Sequence, residues 1–221
     1  VALPILFGAC EDLNRDILTA LDEEQVIKSY DYTRNRLSAI YNILPSGFNA
    51  IDGAMMASAS DEAEHTIQSS GIHKFNTGSW NQLDNPDDVW NHYYHGIRLA
   101  NQFLQTADSV NHDIYALDPD PTQQEVYQNR LETINRWKHV ARFLRAFYYF
   151  ELLKRYGGVP IITEVYSLGD DFTDVERNTL EETVNFIVEE CDVVAGVLEP
   201  FYSDDDLGRA TSIAALALKS R

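Results

Sequence analysis

An aromatic residue among short polar ones stands out between positions 72 and 85. Trp80 has Asn76 and Asn81 close by in sequence, and Asp61 lies upstream in the same Gly-, Ser- and Asn-rich stretch. Sugars present apolar C–H faces and rims of hydroxyls, so a flat ring edged by amides and a carboxylate is suited to binding them. We predict a ligand site formed by Trp80, Asn76, Asn81 and Asp61. The alternative is that the Trp80 side chain only packs its own loop against the helices.

No comparable sequence pattern indicates catalysis or metal binding. A glycosidase needs two carboxylates placed across a bond, and 35 acidic residues make chance pairs inevitable without any recognisable catalytic frame. Gly-x-Ser-x-Gly, His-Glu-x-x-His and phosphate-binding Gly loops do not occur. His65 and His73 are single loop histidines, which are more often surface residues than metal ligands. We predict no catalytic residue, no metal and no cofactor.

The charge of the chain excludes some partners. Seventeen Lys and Arg stand against thirty-five Asp and Glu, which makes a formal net charge of −18. Such a surface repels phosphate backbones and anionic headgroups, and no basic cluster reverses this locally. Nucleic acid is therefore disfavoured as a partner, whereas a neutral ligand such as a sugar chain meets no charge repulsion.

The two cysteines are predicted to have different roles. Residues 1–9 are apolar and uncharged, like the end of a secretory h-region, and Phe7-Gly8-Ala9-Cys10 resembles a bacterial lipobox. We predict a residual signal peptide over residues 1–9, lipidation at Cys10 and a lipid-anchored linker over residues 10–21. Acyl chains on that residue would hold the protein at a membrane. Cys191 lies within an apolar helical pattern and is predicted to be a buried thiol.

Apolar periodicity and capping signals predict a mainly all-α domain over residues 22–221. The predicted helices run over residues 22–44, 85–104, 122–156, 179–198 and 209–221, with an extended piece over residues 159–165. Such segments favour helix pairs, as in a solenoid or bundle. Residues 45–85 have no stable period and form a long loop region, of the kind that tends to carry function. The last helix has no cap, so we expect its partner to lie beyond residue 221.

Two aromatic clusters are predicted to pack inside the domain. In the longest helix, apolar side chains wrap most of the circumference, as expected of a helix packed between others; they are Phe143, Leu144, Phe147, Tyr148, Phe150 and Leu152. The second cluster comprises Trp90, Tyr93, Tyr94 and His95 at helical spacing. For this cluster, helix packing is favoured, with Trp90 bordering the loop site as the alternative.

The longest helix and its exit carry a family signature. Residues 142–160 contain Arg-Ala followed by a run of aromatic residues and end in Tyr-Gly-Gly-Val-Pro, which resembles the signature of the SusD/RagB family. Five further resemblances follow the same order along the chain: residues 10–13, 60–62, 94–101, 179–198 and 208–217. Together they span nearly the whole chain.

This resemblance implies a helical fold with tetratricopeptide-like helix pairs and a loop-rich ligand-binding region, in chains roughly twice this length. It also implies a non-enzymatic lipoprotein on the outer face of the outer membrane. Members of the family capture oligosaccharides for a SusC-type TonB-dependent transporter, and some take peptides or protein fragments instead. Glu11-Asp12 after Cys10 resembles the signal that sends such lipoproteins to the cell surface. A glycoside hydrolase remains the least favoured alternative.

Overall fold

The computed structural model describes residues 22–167, 169–203 and 206–221, and in these ranges the chain is mainly helical. The α-helices are α1 (Glu23–Lys28), α2 (Tyr30–Tyr41), α3 (His73–Thr77), α4 (Trp90–Thr106), α5 (Asp113–Ala116), α6 (Pro121–Tyr156), α7 (Leu180–Ala195) and α8 (Ser212–Lys219). Short 3₁₀ helices cover Met56–Ala59 and Ala107–Ser109. Within the described ranges β-structure is limited to two isolated bridges. The predicted fold class is confirmed.

The predicted first helix is in fact two helices. The chain breaks at Ser29, whose backbone is extended (φ −91°, ψ 128°) and whose hydroxyl accepts a hydrogen bond from the Tyr32 amide. Ser competes with the helix for backbone partners and so favours a cap. The prediction of one continuous helix over residues 22–44 was therefore wrong at this point.

Three helix starts also differ from prediction. Asp120 caps α6 by accepting from the Thr122 amide at 2.9 Å, so Pro121 is the first helical residue and Thr122 is already inside. The start of α8 is set by Thr211 and not by Arg209. Asn85-Pro86 forms a turn, and α4 begins only at Trp90. The capping box of α7, by contrast, is confirmed at Thr179 with Glu182.

The core lies along α6, which packs against α4 on one side and α7 on the other, while α7 packs against α8. The predicted inward face of α6 is confirmed: Phe143, Leu144, Tyr148 and Leu152 are buried, and Phe147 and Phe150 pack against them partly buried. No helix among the described residues is long and apolar enough to span a membrane.

A buried ion network joins these layers. Glu190 on α7 accepts from Arg142 and from Arg145 on α6, at 2.7 and 3.1 Å. Arg145 also donates to the Asn101 side chain of α4 at 2.7 Å. Asn101 in turn donates to the carbonyl oxygen of Ile162 at 2.9 Å, so the extended segment after α6 is held by the same network. Buried charges are tolerated when they are paired and hydrogen-bonded in this way.

Candidate functional site

The loop region, defined here as residues 45–89 between α2 and α4, has a small core of its own. Ile51, Ala54 and Ile72 are buried together, with Phe75 of α3 packed against them. Asp52 strengthens this cluster by accepting hydrogen bonds from the Gly71 amide and the Ser70 hydroxyl. The region is therefore an ordered platform, although the sequence shows no periodicity there.

Trp80 lies on the edge of this platform. Its ring centroid is 5.5 Å from that of Phe75, with 49° between the planes, and 47% of the residue is exposed. The two interpretations from the sequence are thus compatible. One side of the ring is supported by Phe75, and nearly half of the residue remains accessible to a ligand.

The other predicted site residues are distributed around Trp80. Asn76 on α3 donates its amide to the Ser58 carbonyl oxygen at 2.9 Å, which ties α3 to the 3₁₀ helix Met56–Ala59. Asp61 is exposed in the turn directly after that helix. Asn76 therefore has a clear structural role in holding the Asp61 turn beside α3. Ligand contacts for either residue remain a prediction.

Asn81 shapes a tight turn after Trp80. Its backbone pairs with Asp84 in an isolated bridge, and its side-chain oxygen accepts from the Leu83 amide at 2.9 Å. Such a turn is the ordinary use of Asn at this kind of position. The turn projects Gln82 and Leu83 outwards, and Leu83 is 92% exposed.

Next to this turn lies a polar cleft that the sequence prediction missed. We call it the Trp90 cleft, and its volume is about 420 Å³, within the range of ordinary ligand pockets. Its polar lining consists of Gln82, Asp84, Asn85, Asp88 and Asn91, and its aromatic lining of Trp90 and Tyr156. The predicted helix packing of Trp90 is confirmed, since Trp90 packs partly buried against the main core, and the residue also lines this cleft.

Hydrogen bonds from the end of α6 hold one wall of the cleft. The Tyr156 hydroxyl donates to Asp88 at 2.6 Å and accepts from the Val89 amide at 3.0 Å. The hydrogen bond from Tyr156, followed by that from the Trp90 amide, lowers the pKa of the Asp88 carboxyl. Burial, followed by the hydrogen bond to Asp88, raises the pKa of the Tyr156 hydroxyl. At neutral pH the cleft therefore holds an ionised carboxylate beside a neutral phenol.

The aromatic residues of the cleft support one another. The Trp90 ring lies 4.8 Å from Tyr94 and 5.1 Å from Tyr156, the latter edge-on at 85°. Tyr94 is anchored by its hydroxyl, which donates to the Pro160 carbonyl oxygen at 2.7 Å. Trp90, packed against these two rings, forms one wall of the cleft.

The loop histidines and Cys191, singled out from the sequence, lie apart from this cleft. His65 and His73 lie 6.4 Å apart, and His73 is bonded through Nε2 to the Ile67 carbonyl oxygen. Among the described residues no group of three or more potential ligands gathers around them or elsewhere. Cys191 is a buried free thiol, as predicted, and burial raises its pKa to about 11. Cys10 and the lipobox lie outside the described residues.

The fold and the candidate site together form a packed helical scaffold that presents an aromatic ring and a polar cleft on an ordered loop platform. Over residues 19–221 the chain matches the SusD-like family model described as starch-binding and associating with the outer membrane. The chain belongs to the SusD-like family, which confirms the resemblance seen in the sequence. The description of this family model is of binding, to starch, in association with the outer membrane.

Solved structures agree with this assignment. A SusD-like protein of Bacteroides fragilis is 25% identical, with a TM-score of 0.66 over 90% of this chain and 35% of that one. A laminarin-binding SusD-like protein is also 25% identical, with a TM-score of 0.68 over 86% and 39% of the two chains. Surface glycan-binding protein A of Bacteroides uniformis, 20% identical with a TM-score of 0.61 over 86% and 40%, shares the fold. The chain thus spans 35–40% of the length of these relatives. No curated protein matches it.

Proposed function

We propose that this protein captures oligosaccharides at the cell surface and delivers them to a SusC-type TonB-dependent transporter. The observation that carries the proposal is the half-exposed Trp80 ring, supported from behind by Phe75, on the platform that also forms the Trp90 cleft. A ring of this kind can stack on the C–H face of a sugar, while amides and carboxylates beside it accept hydrogen bonds from hydroxyls. Asn81, Asp61 and Asn76 complete the proposed site.

The family assignment independently supports glycan as the ligand. The matched family model is described as starch-binding, and one similar structure is named for laminarin binding. Both descriptions are of glycans, which fits a strongly acidic chain that repels anionic polymers. In this proposal Cys10 carries the lipid anchor, and the transporter is the protein partner.

Isothermal titration against a panel of neutral and charged glycans tests the binding proposal. We expect at least one glycan to bind, and Trp80→Ala to weaken it about tenfold, as expected for the loss of one stacking ring. Phe201→Ala is the matched control, because Phe201 is 75% exposed in the loop between α7 and α8. Absence of binding to every glycan, or equal losses in both variants, would contradict the proposal.

A peptide ligand is the second candidate, favoured by a smaller and more apolar cleft. This cleft has a volume of about 180 Å³ and is lined in part by Tyr94, Ile97, Tyr166 and Phe172. The Tyr166 and Phe172 rings lie 5.1 Å apart, and Phe172 is 51% exposed. Binding of peptides and not of sugars in the same titrations, with a loss on Phe172→Ala, would favour this function.

Anchoring and delivery require a cellular test. We expect Cys10→Ala to release the protein from the outer-membrane fraction, because the lipid is the proposed attachment. The anchored protein should copurify with a TonB-dependent transporter after mild cross-linking. Retention of Cys10→Ala in the membrane fraction would contradict the proposed anchor and leave the glycan titrations unaffected.

A further inference from the structure

We infer that the Trp90 cleft selects its ligand by charge, accepting neutral saccharides and rejecting those that carry uronate, sulfate or phosphate groups, with Asp88 as the selecting residue. This inference rests on the proposed function, since it names the class of glycan taken by the cleft beside the proposed Trp80 site. It concerns a property of this chain's own residues, which the family assignment leaves open.

The first observation is the charge of the loop region. Residues 45–89 contain seven Asp and Glu and a single basic residue, Lys74. Lys74 forms an ion pair with Asp84, and Asp87 is paired with Arg155 of α6 at 2.7 Å. Both of these cations are therefore engaged with a carboxylate of the protein.

The second observation is the surroundings of Asp88. Its carboxylate lines the cleft, and the hydrogen bonds that it accepts come from two neutral donors, the Tyr156 hydroxyl and the Trp90 amide. No basic side chain contributes to the cleft among the residues that the structure describes. The negative charge of Asp88 is therefore oriented but not neutralised, and it acts on whatever enters the cleft.

These charges discriminate between ligands of similar shape. A second negative charge held about 4 Å from Asp88 is repelled by an amount that corresponds to roughly fivefold in affinity in bulk water, and to more in a partly closed cleft. A neutral sugar has no such penalty. Its hydroxyls can donate to Asp88 and to the side-chain oxygens of Asn91 and Gln82, which are among the acceptors in this lining.

Matched ligands test the inference on the complete protein. Each neutral glycan that binds in the panel is titrated beside its C6-oxidised form, in which primary hydroxyls have become carboxylates on the same backbone. We expect the oxidised form to bind at least about fivefold more weakly at low salt, and the ratio to shrink in 0.5 M NaCl because exposed charges are screened. In Asp88→Asn the ratio should also fall, since the amide keeps an acceptor oxygen but loses the charge.

Asp31→Asn is the control variant, because it removes one exposed carboxylate from α2 and changes the net charge equally. This control should leave the ratio as in the wild type. Equal binding of neutral and oxidised forms, or no response of the ratio to Asp88→Asn, overturns the inference while the proposed function stands. Failure of the wild type to bind any glycan overturns the proposed function, and the inference with it.

Discussion

The hydroxyl of Tyr156, the last residue of α6, donates a 2.6 Å hydrogen bond to the carboxylate of Asp88, which lies 68 positions earlier in the chain. The next residue back, Arg155, forms an ion pair with Asp87. Two consecutive residues at the end of the central helix thus hold two consecutive acids at the exit of the loop region. The scaffold and the candidate site are coupled at this point, and the first two predictions concern it.

Tyr156→Phe should loosen the wall of the Trp90 cleft without removing its aromatic lining. The change deletes the donor to Asp88 and the acceptor for the Val89 amide. At about 0.5–1.5 kcal/mol for each of the two hydrogen bonds, we expect the free energy of unfolding to fall by about 1–3 kcal/mol. Hydrogen exchange of the Val89 and Trp90 amides should accelerate. Tyr32→Phe, on the surface of α2, serves as the control, and equal exchange rates in both variants would argue against the coupling.

Asp88 should make the stability of the protein depend on pH in the acidic range. Its pKa in the folded state is lowered, first by the hydrogen bond from Tyr156. The ionised carboxylate therefore stabilises the fold at pH values above its ordinary pKa of about 4, and this contribution is lost as the pH falls through the lowered pKa. Urea unfolding of wild type and Asp88→Asn should show a constant difference from pH 7 to about 5 that shrinks below about pH 4. In the Tyr156→Phe background, the pH dependence of this stability difference should weaken. A stability difference that grows on acidification would contradict a lowered pKa for Asp88.

Glu190→Gln should destabilise the fold strongly. The carboxylate faces Arg142 and Arg145, and the side chains of Glu190 and Arg145 are each 8% exposed. Removing its charge leaves Arg145 buried without a counter-ion, for which we expect a loss of about 3 kcal/mol in unfolding free energy. Glu189→Gln, at the exposed neighbouring position, should change stability by less than about 0.5 kcal/mol. Similar values for the two variants in urea titrations would show that the pairing contributes little.

Gly96→Ala should be destabilising although alanine is the better helix former. A Cβ atom at position 96 would lie 2.8 Å from side-chain atoms of both Ile43 and Tyr148. The gain in helix propensity is about 1 kcal/mol, whereas overpacking a tight core costs about 1–3 kcal/mol. We therefore expect a net loss in thermal unfolding. Gly47→Ala, which meets open space, is the control. A rise in melting temperature for Gly96→Ala would mean that the Ile43 and Tyr148 side chains yield more easily than their packing indicates.

The amino-acid sequence by itself determined the helical class, the inward face of α6, the capping box at Thr179 and the family. The structural features among these depend on residues within a few turns of each other, so periodicity and local hydrogen-bonding chemistry are enough to find them. The family was found from motifs in the same order along the chain. The same local rules placed the start of α4 at Asn85, which was wrong. Asn85 and Asp88 satisfy backbone amides within a turn, by accepting from Asp87 and Trp90.

Only the tertiary structure decided where the polar cleft lies and which residues form it. Gln82, Asn85 and Asn91 are ordinary loop amides in the sequence, and nothing marks Tyr156, at the end of a core helix, as their neighbour. Their association depends on how α6 packs against α4 and on the contacts of Arg155 and Tyr156 with the loop. Contacts between residues 68 positions apart carry no local periodic signal, because packing of distant elements and not backbone preference brings them together.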